Sequence, residues 1–277
     1  MRNCRHAARG VQDLTTIRLP RSALRRSSGF TLLELALTLA ILGMLAAGVL
    51  VPFVAQVAQR KTADTERILE QAKESLIGYA TVTGRLPCPA TDTSNGQESP
   101  NNAAATGGCT SFYGYLPAVT LGFTPIDAQG YAIDGWGSGA LSRIRYSVSN
   151  YNGNVFTKTG GMRGVGPAGL DAPLIFVCGS GSGVNAATPT CGATAVLLTD
   201  RAPAIIWSLG TNAATGGGAG VDEAQNGFPG ALAGGATDRL YVSRGMSNAP
   251  GNEFDDVVTW LSVGNLVSRM VLGGQLP

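Results

Sequence analysis

Hydrophobic and polar positions divide the chain into three regimes. From Phe30 to Gln59 the only charged side chain is Glu34. As a helix this run would extend about 45 Å, enough to cross the hydrocarbon core of a bilayer. From Arg60 the pattern changes: Arg60, Lys61, Asp64, Glu66, Arg67, Glu70, Lys73 and Glu74 bring charge, while Leu69, Ala72, Leu76 and Tyr79 recur at helical spacing. That spacing predicts an amphipathic continuation of the same helix, packed on a globular head. Gly84 and Pro87 supply the stop, so the predicted helix covers residues 30–83, about 80 Å if straight. Within the apolar run, Pro52 lacks an N–H and crowds the carbonyl of Gly48, which predicts a kink there.

Beyond Leu86 the period shortens. Strand-like runs at Arg143–Ser149, Pro173–Cys178, Ala195–Thr199, Pro203–Leu209, Arg239–Ser243 and Asp256–Leu261 alternate with Gly/Asn/Ser/Thr loops. A last amphipathic helix is predicted after Ser262, with Gly273 as its stop. The expectation is an α+β protein: a long N-terminal helix packed on a mainly antiparallel head. Its organisation is a basic segment 1–29, the helix 30–83 and a head 84–277.

Charge adds direction. The net charge of +2 hides an asymmetry: residues 1–29 carry seven arginines and one acid, and the remainder is net acidic. A basic tract beside an apolar run acts as a topology signal rather than a nucleic-acid patch, and it sends the C-terminal bulk across the membrane. Cys88, Cys109, Cys178 and Cys191 all fall in that bulk, without paired C-x-x-C spacing. Disulfides in an oxidising compartment are the expectation. Of the three possible pairings, Cys88–Cys109 with Cys178–Cys191 is favoured, since each closes a local polar loop.

Three readings of the N-terminal segment compete. It can be a lone signal anchor, holding a periplasmic binding or enzymatic domain. It can be a signal peptide cut after Gly48, where Ala46-Ala47-Gly48 offers small residues. The third accounts for more residues. Ser28-Gly29-Phe30-Thr31-Leu32-Leu33-Glu34, after a basic leader and before the apolar run, resembles the processing site of type IV prepilins and of type II secretion pseudopilins. The resemblance implies cleavage between Gly29 and Phe30 by the prepilin peptidase, methylation of the Phe30 amine, and an assembly role for Glu34, fifth residue of the mature chain. A carboxylate in hydrocarbon costs several kcal/mol unless paired, and the amine created on Phe30 of a neighbouring subunit is a natural partner. Such a charge fixes axial register, as a buried polar residue does in a coiled coil. The implied partners are the prepilin peptidase/methyltransferase, other pilin-like subunits and the inner membrane, with the head in the periplasm. The mature part exceeds a typical major pilin in length, which favours a minor subunit.

Two head segments resemble the major pseudopilin of type II secretion. Asp134-Gly135-Trp136-Gly137, then Arg145-Tyr146, is similar to an element of that family, with extra residues between the halves. Ser208-Leu209-Gly210-Thr211-Asn212, a Gly-rich loop, then Asp222-Glu223, is similar to its calcium loop. That likeness implies Asn212, Asp222 and Glu223 as ligands, although the family carries an acid at the position of Asn212. Glu253, Asp255 and Asp256 read as a solvated strand start. Catalysis is not expected: the only histidine, His6, lies in the leader, so the head lacks histidine for Ser-His or Cys-His chemistry. Gly135-Trp136-Gly137-Ser138-Gly139-Ala140 matches G-x-G-x-x-A outside any βαβ unit and reads as a turn.

Overall fold

The structure, a computed structural model, describes residues 29–101, 107–137, 139–185, 190–215, 220–227 and 240–277; the side chains of residues 47–55, 214 and 215 are not among those described. Two units divide between Pro52 and Phe53. Helix α1 runs Leu32–Thr83. The expected kink at Gly48–Pro52 falls among side chains outside the described residues. Among the described residues no helix is long and apolar enough to cross a membrane; the apolar run passes into that undescribed stretch after Ala46.

In the second unit α1 buries one stripe: Thr65, Ile68, Leu69, Ala72, Leu76, Ile77 and Ala80. These recur at three- and four-residue intervals, the spacing of a single helix face. Gly84, at φ +75, ends the helix, and its N–H returns to the Ala80 carbonyl. Just beyond, Arg85 forms a two-pronged pair with Glu98, at 2.8 Å from Nη1 and 2.7 Å from Nη2. Glu98 also accepts from the Cys88 N–H and the Tyr79 hydroxyl, so one carboxylate joins the helix end to the first disulfide loop.

The stripe packs on an antiparallel sheet with order β1 (Tyr113–Tyr115), β2 (Arg145–Val148), β5 (Ala204–Ser208), β9 (Val257–Trp260). A second sheet has order β4 (Leu197–Ala202), β3 (Ile175–Cys178), β6 (Leu240–Val242). Its β3–β6 pairing is parallel, so the head is mainly but not wholly antiparallel. Strand β5 is buried on both faces. Ala204 and Ile206 join the core of Leu69 and Leu76, while Ile205 and Trp207 join Ile175, Val177 and Tyr241. The period-two alternation of a strand thus serves two cores, with the four-stranded sheet as the middle layer.

Among the described residues, three α-helices of six or more residues follow α1 in the head: α2 (Gly161–Leu170), α3 (Val221–Asn226) and α4 (Val263–Leu272). Ser262 caps α4 by accepting from the Asn265 N–H, as its position predicts. Leu266 and Met270 enter the α1 core, and Arg269 pairs with Glu74 at 2.8 Å. A hairpin of β7 (Ser247–Ala249) and β8 (Asn252–Phe254) precedes β9. Cys88 is bonded to Cys109 and Cys178 to Cys191.

Candidate functional site

The start of α1 is set by Thr31. Its hydroxyl accepts from the Glu34 N–H at 3.2 Å and its carbonyl from the Leu35 N–H at 3.0 Å. Thr31 is therefore an N-cap, and Glu34 places its carboxylate in the first turn, where the helix dipole favours an anion. Gly29 and Phe30 precede the helix in exposed, non-helical backbone. Every described side chain from Phe30 to Ala46 is exposed, including Phe30 at 78%, Leu32 at 87% and Met44 at 81%. An apolar face of that extent marks a surface that meets lipid or another protein.

At the lower part of the head, Asp134-Gly135-Trp136-Gly137 forms a turn docked on α1. Asp134 Oδ1 accepts from the N–H groups of Trp136 and Gly137, and its Oδ2 accepts from Ser208 Oγ at 2.5 Å. The Gly135 N–H donates to Thr65 Oγ1. A Cβ on Gly135 would lie 2.4 Å from the Lys61 carbonyl, so glycine is what lets the turn approach the helix. Trp136 then lies under Lys61, whose ammonium is 5.3 Å from the ring centre. The Asp-x-Trp motif thus acts as a helix–head coupling.

Asp256 corrects the expectation of a solvated strand start. It is 4% exposed and accepts from Asn226 Nδ2 at 2.8 Å. Burial pushes its carboxyl up to about 8; the Asn226 hydrogen bond opposes the rise, Asp255 and Glu223 add to it, and Arg145 works against it. Asn226 is the hub of α3: its side chain bonds both the N–H and the carbonyl of Val242, and its carbonyl accepts from Trp207 Nε1.

Asn212, Asp222 and Glu223 are not brought together as a set. Asn212 Nδ2 donates to Glu223 Oε1 at 2.9 Å, and the Asp255 N–H reaches the same oxygen. Asp222 is committed elsewhere: it pairs with Arg244 at 2.5 Å and accepts from Ser180 Oγ and the Gly181 N–H. Among the described residues no group of three His, Cys, Asp or Glu side chains is arranged to hold a metal ion. The three residues therefore do not fit a calcium cage: the carboxylate meant for the ion already neutralises an arginine.

Residues 24–50 match the family model described as the prokaryotic N-terminal methylation motif. No curated protein and no solved structure shows significant similarity to the chain. Gly29, Phe30, the Thr31 cap and Glu34 all lie inside the matched stretch, whereas the head lies outside it. The match bears out the resemblance of this stretch to a prepilin-type leader: residues 24–50 carry a prokaryotic N-terminal methylation motif.

Proposed function

We propose that this protein is a structural subunit of a type IV-like filament, acting in type II secretion or type IV pilus biogenesis. The prepilin peptidase cuts between Gly29 and Phe30, and the new amine is methylated. The first half of α1 then holds the subunit in the inner membrane, with the head in the periplasm. Assembly proceeds through the same helix, where Glu34 pairs with the Phe30 amine of a neighbour. The observation that carries this reading is the methylation motif matched at residues 24–50, with the Gly29–Phe30 junction and Glu34 inside it. Two disulfides in the head accord with an oxidising compartment. The role is structural rather than catalytic, and no calcium step enters it.

The test is N-terminal sequencing combined with incorporation. Membrane-extracted protein should begin at methylated Phe30. Glu34→Ala and Glu34→Gln should be processed and inserted normally but lost from complexes with other pilin-like subunits. A start at Val49, or an intact leader with incorporation unaffected by either variant, would remove the filament reading in favour of a secreted or singly anchored domain.

A further inference from the structure

Gly29 and Phe30 are exposed and non-helical, and α1 begins two residues later, at Leu32. One side chain draws that boundary. A helix start leaves its first N–H groups without carbonyl partners. The Thr31 hydroxyl accepts from the Glu34 N–H at 3.2 Å, and the α1 ladder begins at the Thr31 carbonyl, which accepts from the Leu35 N–H at 3.0 Å. Gly29 reinforces the boundary from the other side. A Cβ there would meet nothing within 4 Å, so no neighbour among the described residues demands glycine. What glycine changes locally is propensity: it is the poorest helix former after proline, and it resists extension of α1 toward the leader.

We propose that Thr31 is a positioning residue for prepilin processing: by capping α1 it keeps the Gly29–Phe30 peptide outside the helix, where the peptidase can cut it. This rests on the filament reading and names a determinant of its first step. In that step water adds across the Gly29–Phe30 amide, leaving a carboxylate on Gly29 and an ammonium on Phe30. The Gly29 carbonyl oxygen must be free to meet the donors that stabilise the tetrahedral intermediate. Without the Thr31 cap, the start of α1 in a bilayer has no water to turn to, so the helix lengthens until another cap is reached. The next hydroxyl toward the leader belongs to Ser28. A helix started there takes Gly29 and Phe30 into its first turn and commits the Gly29 carbonyl to the Leu33 N–H, four residues on. The bond to be cut is then locked in the helical ladder.

The test compares full-length wild type with Thr31→Val, Thr31→Ser and Thr31→Asn in lipid vesicles containing the prepilin peptidase. Initial rates are measured at varied surface density of substrate, and the products are sequenced. Valine keeps the shape of threonine and loses the hydroxyl, whereas serine and asparagine change the shape and cap at least as well. Loss of the cap shifts the helix start by about fivefold. A cleavable conformer made scarcer raises KM and leaves kcat alone. Thr31→Val should therefore raise KM by up to about fivefold at unchanged kcat, with Thr31→Ser and Thr31→Asn at or below the wild-type KM. A peptidase that reads side-chain shape gives the opposite order, with valine matching wild type and asparagine worst. That order, or one KM for all four, overturns the inference while cleavage after Gly29 leaves the filament reading standing. Wild type left uncut between Gly29 and Phe30 removes the filament reading and the inference with it.

Discussion

Removing Arg85 gives a sharp test of how the stem is held to the head. The guanidinium grips Glu98 with two short bonds, and the two side chains are only 15% and 16% exposed. Breaking a fully buried pair from one side costs 3–5 kcal/mol, roughly, because the remaining charge is stranded. Here Glu98 keeps the Cys88 N–H and the Tyr79 hydroxyl, and the pair touches solvent, so about 2 kcal/mol is the expected loss for Arg85→Ala. For a unit of this size each kcal/mol moves Tm by roughly 2–4 °C, which gives a fall of about 4–8 °C at pH 7. The pH dependence supplies a second reading. Burial alone would raise the Glu98 carboxyl, but the bonds and charge of Arg85, with the Cys88 N–H, hold it below the ordinary glutamate value. A lowered carboxyl contributes stability that is present above its unfolded pKa and is lost as pH falls through the folded one. The gap between wild type and Arg85→Ala should therefore close below about pH 4. Thermal melts of the detergent-extracted protein from pH 7 to pH 3 measure both quantities. A Tm within about 1 °C of wild type at pH 7 would refute the clamp. A gap that persists unchanged at pH 3 would refute its electrostatic origin.

Two further outcomes follow from the head. Asp256 has the opposite linkage: its folded-state value of about 8 lies above the unfolded one, so its ionisation opposes folding and stability falls as pH rises from about 4 to 8. Asp256→Asn, which still accepts from Asn226, should raise Tm at pH 8 and flatten that slope; an equal or lower Tm at pH 8 would count against the burial argument. Non-reducing peptide mapping should recover Cys88 with Cys109 and Cys178 with Cys191. Replacing either pair by serine should cost on the order of 3 kcal/mol, and an unchanged melt would show that the loop it closes does not restrain the unfolded chain.

The periodic parts of the fold were legible in the sequence, and its long-range parts were not. The stripe Leu69, Ala72, Leu76 appears as buried as its spacing requires, and six strand-like runs coincide with β2, β3, β4, β5, β6 and β9 to within a few residues. Ser262 and Gly84 end or begin helices for local reasons that composition reveals. Strands β1, β7 and β8 were missed because Tyr113-Gly114-Tyr115 has glycine at its centre and Ser247-Asn248-Ala249 and Asn252-Glu253-Phe254 are mostly polar, whereas the equally short β6, Leu240-Tyr241-Val242, is wholly apolar. The likeness to a calcium loop groups Asp222 with Glu223, yet successive helical residues diverge by about 100° and here meet different partners. The burial of Asp256 was hidden for a related reason. Three acids in four positions look solvated, and only the arrival of Asn226 and Arg145 from distant elements explains how one is held inside. Gly29 and Glu34 carried their signal in register with each other, which is why the leader needed no structure to be read.

The docking of α4 on α1 bears on how the molecule is made. Arg269 and Glu74 are separated by 195 residues, and Leu266, Met270 and Leu276 complete the core that Leu69 and Leu76 begin. A ribosome thus finishes the stem long before it supplies the side chains that cover it. Closing a loop of that size precedes any reward from the contacts it brings, so this pairing is a slow step of folding. Until the last turn of α4 emerges, the part of the stripe that Leu266 and Met270 cover stays open to holdase chaperones or to aggregation. Truncation within α4 should therefore be felt at the opposite end of the sequence, as proteolytic sensitivity of residues 65–80.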